Sequence, residues 1–139
     1  MADVHSKETR SYNMSRIRSK DTRPEMLVRR FLHKNGFRYR LHVKNLPGKP
    51  DIVLSKYKTV IFIHGCFWHG HEGCKYYVVP KTRTEWWLQK IGTNIMNDTN
   101  AEIALKSAGW KIIKIWECQV KKSEIETTLS ALKAAFSAV

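Results

Sequence analysis

The apolar positions of this chain change period several times, and each change marks an element. Leu27, Val28, Phe31 and Leu32 recur at helical spacing. They follow Thr22-Arg-Pro-Glu25, a capping box with Pro early in the first turn, so a helix starts near Thr22. Gly36 stops it. Residues 37–42, Phe-Arg-Tyr-Arg-Leu-His, alternate apolar with polar and predict a half-buried strand. Asn45-Leu-Pro-Gly48 is a turn. Residues 50–54 and 59–63 predict two further strands, the second apolar enough to be central. Residues 84–107 predict a long helix with Trp87, Leu88, Ile91 and Ile95 on one face, ended by Gly109. Residues 110–116 predict a strand, and Ser123-Glu-Ile-Glu126 caps a last helix carrying Ile125, Leu129, Leu132 and Phe136. The order α-β-β-β-α-β-α predicts a layered α/β domain whose helices cover a central sheet.

Composition narrows the picture. A chain of 139 residues suits one core, placed at residues 21–139. Residues 1–20 are polar and basic, with isolated Tyr12, Met14 and Ile17, and predict an arm that orders on binding DNA. The net charge of +13 implies a polyanionic partner, because Lys and Arg release counterions from nucleic acid. That charge lies on no single amphipathic helix, which argues against a membrane surface. The start is polar with no apolar run after it, so no signal peptide is expected. Three cysteines in an unexported chain favour metal or free thiols over a disulfide framework.

The cysteines have company. Cys66, His71 and Cys74 share one short loop, and Cys118 follows the strand at 110–116. Two thiolates, an imidazole and a distant thiolate make a tetrahedral zinc set that would tie a loop to a remote strand. His69 competes with His71 for the imidazole place. The C-x4-H-x2-C spacing favours His71 and leaves His69 free as a general base at neutral pH. Asp98 shares a helical stripe with Ile91 and Ile95, so its carboxylate needs a hydrogen bond or a cation. It is a candidate to orient His69, against a plain salt bridge to Lys or Arg.

Asp51 follows a Pro-Gly-Lys-Pro turn at the start of a strand, where one carboxylate could hold Mg²⁺ beside a phosphate; simple turn chemistry is the competing reading. Glu25 reads first as part of its capping box. Near Asp51 it could also reach water around a metal. Phe67 and Trp68 either plug the core beneath the loop or stack on bases, and Trp86 and Trp87 raise the same question on the long helix. Neighbours on a helix point about 100° apart, so one of that pair is expected to face the core.

Together these residues resemble the very short patch repair endonuclease family, the T:G mismatch-specific nicking enzymes. The resemblance runs over nearly the whole chain. Its most specific stretches are Leu46-Pro-Gly-Lys-Pro-Asp51, Val60-Ile-Phe-Ile-His-Gly-Cys-Phe-Trp-His69 and Thr82-Arg-Thr-Glu-Trp-Trp-Leu88. It implies a restriction-endonuclease-like fold of the PD-(D/E)XK type: three layers, a central mixed sheet and a structural zinc site. It implies a nick 5′ to the mispaired T, on the strand where 5-methylcytosine has deaminated. Carried over, Asp51 is the Mg²⁺ carboxylate and His69 the general base held by Asp98. His64 and Glu25 support the water network around the metal. Cys66, His71, Cys74 and Cys118 hold structural Zn²⁺. Phe67, Trp68 and Trp87 match the family's intercalating aromatics, and Met14, Lys90 and Asn94 match positions near the mismatched pair. The expected setting is a monomer acting on T:G-containing duplex DNA at the nucleoid of a bacterial cytoplasm, with mismatch-repair proteins as partners.

Two departures from the family pattern stand out. Ile63 occupies a position where the family usually has Thr; the backbone carbonyl there contributes to the metal site, so Ile need not abolish activity. The zinc loop is one residue longer, with Gly73 before Cys74.

Overall fold

The computed structural model describes residues 21–137, so the expected arm and Met14 lie outside the described residues. The element order is the one the periodicity predicts: α1 (Arg23–Lys34), β1 (Arg40–Leu41), β2 (Ile52–Leu54), β3 (Thr59–His64), α2 (Thr84–Ser107), β4 (Lys111–Trp116) and α3 (Ile125–Ser137). Short 3-10 turns at Ser55–Tyr57 and Glu117–Val120 follow β2 and β4. The sheet order is β1-β2-β3-β4, with β1, β2 and β3 antiparallel in succession and β3 parallel to β4. A parallel pair needs a long crossover, and α2 supplies it.

Alternation along the strands divides two cores. Ile52, Leu54, Ile61 and Ile115 point to one face, where Val28 and Leu32 of α1 and Leu132 and Phe136 of α3 cover them. Val53, Val60 and Phe62 point to the other, covered by Leu105 of α2. The result is a helix–sheet–helix sandwich with β3 buried at its centre. His64 is the last residue of β3 on the α2 side, so the apolar strand delivers a histidine to the sheet end.

Three expectations need correction. The first strand is only Arg40–Leu41, although Phe37, Tyr39 and Leu41 do share the α1 face as alternation predicts. His42 ends the ladder because its φ of 48° is left-handed. Second, the capping box is half formed. The Thr22 hydroxyl accepts the Glu25 N–H at 3.4 Å, but the Glu25 carboxylate turns inward and is 1% exposed. Third, Leu88 and Ile95 are 51% and 42% exposed rather than buried. Only Ile91, Ala101 and Leu105 of α2 are buried, because the sheet covers the C-terminal half of this long helix and its N-terminal half is covered only by the 64–74 loop. Among the described residues no helix is long and apolar enough to cross a membrane.

Candidate active site and metal centre

Asp51 sits in the bend before β2 and reaches across to β3, where its Oδ2 accepts the Ile63 N–H at 2.7 Å. Burial pushes its carboxyl up to about 6, against that hydrogen bond; the charge of Glu25 pushes the same way, while His42 and His69 oppose. Two carboxylates within electrostatic reach of each other, one of them raised above its ordinary range by burial, are a donor set a divalent cation would stabilise.

The loop after β3 returns an imidazole to the same sheet end. His69 Nδ1 lies 2.7 Å from Asp98 Oδ2 on α2. A carboxylate on Nδ1 fixes the Nδ1–H tautomer and leaves Nε2 as the proton acceptor. Asp98 therefore pairs with the loop histidine rather than with Lys or Arg among the described residues. His64 stacks on His69 with centroids 3.8 Å apart, and the donor atoms of His64, His69 and Asp98 all lie within 4.8 Å of one another. Burial, with the neighbouring His69 next, pushes His64 down to about 3, so it is neutral at physiological pH. Its Nδ1 is buried without a partner among the described residues, a polar atom that a water network would satisfy.

The loop is held by close approach. A Cβ on Gly70 would come within 2.7 Å of Ile95 Cδ1 and 2.9 Å of Ile91 Cγ2, so only glycine lets the loop lie on α2. Just beyond, Cys66, His71, Cys74 and Cys118 place their donor atoms within 4.8 Å of one another, with Cys118 Sγ 3.5 Å from His71 Nδ1. Tetrahedral zinc with bonds of about 2.0–2.3 Å needs donors spaced in this way. Burial drives the Cys66 thiol up to about 12 and Cys118 in the same direction; Cys74 moves down, chiefly through a backbone hydrogen bond from Tyr76. Buried thiols that resist ionisation need a cation to become thiolates, so the set fits zinc. Gly73 takes φ 76°, which glycine accepts without strain.

Trp116 at the end of β4 connects the two groups. Its indole stacks on His71 at 4.0 Å and meets His64 edge-on at 5.2 Å. The aromatics form one cluster. Phe67 lies 5.4 Å from Trp68 and 5.3 Å from Trp87, and Trp68 lies 5.7 Å from Trp87. All three are partly exposed and outside both cores. Trp86 is 45% exposed beneath the Arg83 guanidinium, so neither tryptophan of the pair enters the core. Asn94 donates to the Trp68 carbonyl at 2.9 Å, while Lys90, one turn before it, is exposed.

Sequence reasoning missed His42, whose Nε2 lies 3.1 and 3.0 Å from the two Glu25 oxygens. Arg29 Nη1 adds a 3.2 Å contact to the same carboxylate. His42 sits in an alternating stretch with no motif spacing, so nothing in the sequence marked it. Trp116 was legible only as the end of an apolar strand.

The chain resembles known proteins over most of its length. Residues 2–75 match the family model described as DNA mismatch endonuclease Vsr. The chain is 51% identical over 125 residues to the type II nicking enzyme V.NmeAIP of Neisseria meningitidis serogroup A, covering 90% of this chain and 89% of that one. It is 48% identical over 120 residues to the type II nicking enzyme V.XorIIP of Xanthomonas oryzae, covering 86% and 88%. It is 45% identical over 124 residues to the DNA mismatch endonuclease Vsr of Escherichia coli K12, covering 89% and 79%. Matches of this extent, spanning the sheet, the histidine loop and the long helix, show that the chain belongs to the Vsr family of DNA mismatch endonucleases.

Proposed function

We propose that this protein is a Mg²⁺-dependent endonuclease that nicks DNA 5′ to the mispaired T of a T:G mismatch left by 5-methylcytosine deamination. The observation that carries the reading is the His69–Asp98 pair at 2.7 Å, set at the same sheet end as Asp51. The sandwich and its αβββαβ order are what a restriction-endonuclease-like fold requires.

Each residue has a defined task. Asp51 and the Ile63 carbonyl would hold the catalytic cation, and Ile63 would serve because it is the backbone that takes part. Mg²⁺ there would neutralise charge on the scissile phosphate and orient it. His69 Nε2 accepts a proton from the attacking water, and Asp98 stabilises the imidazolium that forms. Neutral His64 and the buried Glu25 orient water beside Asp51. Cys66, His71, Cys74 and Cys118 would hold a structural Zn²⁺, which would stiffen the loop bearing His69.

Recognition falls to Phe67, Trp68 and Trp87, with Lys90, Asn94 and, from the arm, Met14 beside the mismatched pair. Unstacking a base step costs roughly a few kcal/mol, and aromatic stacking returns roughly 1–3 kcal/mol per base. A wedge balanced in this way works best where the duplex is already weak. The net charge of +13 supplies affinity for any DNA and no selectivity.

A strand-labelled T:G duplex beside its T:A control, with and without Mg²⁺, tests the reading. One nick 5′ to the T in the mismatched duplex alone is expected. Cleavage of both strands of the control would mark a restriction-type nuclease, and binding without cleavage a zinc-stabilised DNA-binding module.

A further inference from the structure

We propose that His42 is a positioning residue that fixes the Glu25 carboxylate beside Asp51, and that the rate of nicking depends on this hold. The inference rests on the reading of Asp51 and Glu25 as part of the active site.

Three observations converge on His42. Its Nε2 lies 3.1 and 3.0 Å from the two oxygens of Glu25. An ionised carboxylate only accepts, so Nε2 carries the hydrogen and is shared by both oxygens. The backbone N–H of the same residue donates to the Asp51 carbonyl at 3.1 Å. One residue thus holds the main chain of one site carboxylate and the side chain of the other. Finally, His42 adopts φ 48°, a left-handed conformation that a side-chain-bearing residue adopts at a cost. That conformation ends β1 at Leu41 and lets His42 make both contacts.

Glu25 needs such a hold. It is 1% exposed, and its other partners are Arg29 Nη1 at 3.2 Å and the Asp21 N–H at 3.3 Å. Arg29 lies one turn further along the same helix, and Asp21 precedes its cap Thr22. His42 is the partner that ties Glu25 to the sheet, where Asp51 sits.

Glutamine and asparagine separate the role from mere packing. Gln places its amide near the position of the His Nε2 and keeps the donor. Asn favours the left-handed backbone but its amide falls short of Glu25. The full-length variants His42→Gln and His42→Asn are compared with the parent in melting temperature, affinity for a T:G duplex and single-turnover nicking at saturating Mg²⁺. His42→Asn should stay folded at the assay temperature and bind the T:G duplex as the parent does yet nick about 10- to 100-fold more slowly, the worth of one hydrogen bond to a charged group. His42→Gln should recover most of that rate. In a Glu25→Gln background, His42→Asn should add little further loss, because the two act as a unit. His42→Asn nicking at the parental rate, or losing the same factor with and without Glu25, overturns the inference alone. A parent that nicks no mismatched duplex overturns the functional reading and this inference with it.

Discussion

The imidazole rings of His64 and His69 lie face to face, 3.8 Å between centroids and 2° from parallel. Two cationic rings at that distance would repel, and the structure divides the work between them. His64 is 4% exposed, and burial keeps it neutral down to about pH 3. His69 has the Asp98 carboxylate on Nδ1 to receive a positive charge. Only one ring of the stack is therefore equipped to take a proton during the reaction.

His69→Ala should reduce single-turnover nicking by roughly 10²–10⁴-fold with little change in duplex affinity. Asp98→Ala should lose less, because it spares the base and removes only the partner that fixes its tautomer and charge. The rate constants of both variants at saturating Mg²⁺ check the order. His69→Ala nicking at the parental rate would remove His69 from the chemistry.

Asp51 gives a pH dependence. Burial raises its carboxyl from 3.8 to about 6, so the native state keeps a proton that the unfolded chain loses. The stabilisation due to that proton is present below the ordinary value and is lost as pH rises through about 6. Metal binding needs the carboxylate, so it competes with the proton. The Mg²⁺ concentration for half-maximal nicking should fall by up to about tenfold per pH unit below that value and level off above it. Asp51→Ala should abolish nicking and leave binding of the T:G duplex largely intact. A Mg²⁺ requirement independent of pH from about 5 to about 7 would contradict the assignment.

Much of this site was legible in the sequence because its chemistry is carried by residue type. Three cysteines and a histidine at metal spacing give the same donor set whatever the loop path, and the four side chains do converge. The succession of helices and strands along the chain followed from changes in apolar period, which burial enforces. The stripe on α2 was misread for a physical reason: periodicity reports which residues are apolar, not whether a neighbour covers them. Leu88 and Ile95 have helical spacing, but the sheet lies under the other half of the helix. Glu25 and His42 were hidden differently. The capping signature competed with a site role for the glutamate, and the histidine matched its strand pattern, so their pairing appears only in three dimensions.

Zinc should be retained in freshly purified protein at one equivalent per chain, as elemental analysis will show. Structural zinc contributes roughly 10 kcal/mol or more of binding free energy to folding, so its removal should unfold the 64–74 loop. The effect should reach the active site, because Trp116 stacks on His71 and touches His64, which stacks on His69. Chelator-stripped protein is expected to lose nicking even in excess Mg²⁺ and to regain it with Zn²⁺. Protein isolated without zinc yet fully active would defeat this role, whereas full retention in Cys118→Ala would remove only that ligand.

The aromatic cluster carries the prediction about recognition. Phe67, Trp68 and Trp87 touch one another outside both hydrophobic cores and are partly exposed. If they wedge beside the mismatch, Trp68→Ala should weaken binding to T:G duplex more than to T:A duplex, by up to about 1–3 kcal/mol for one lost stack. Loss of basic contacts should instead weaken both together and flatten the dependence of affinity on salt. A purely structural Trp68 would behave in a third way, lowering the melting temperature and both affinities alike. Its carbonyl is already held by Asn94, so the backbone should survive truncation of the ring. Melting temperature and the T:G to T:A affinity ratio, measured on one Trp68→Ala preparation, separate these cases. A stable variant with an unchanged ratio would exclude Trp68 from both the wedge and the fold's support.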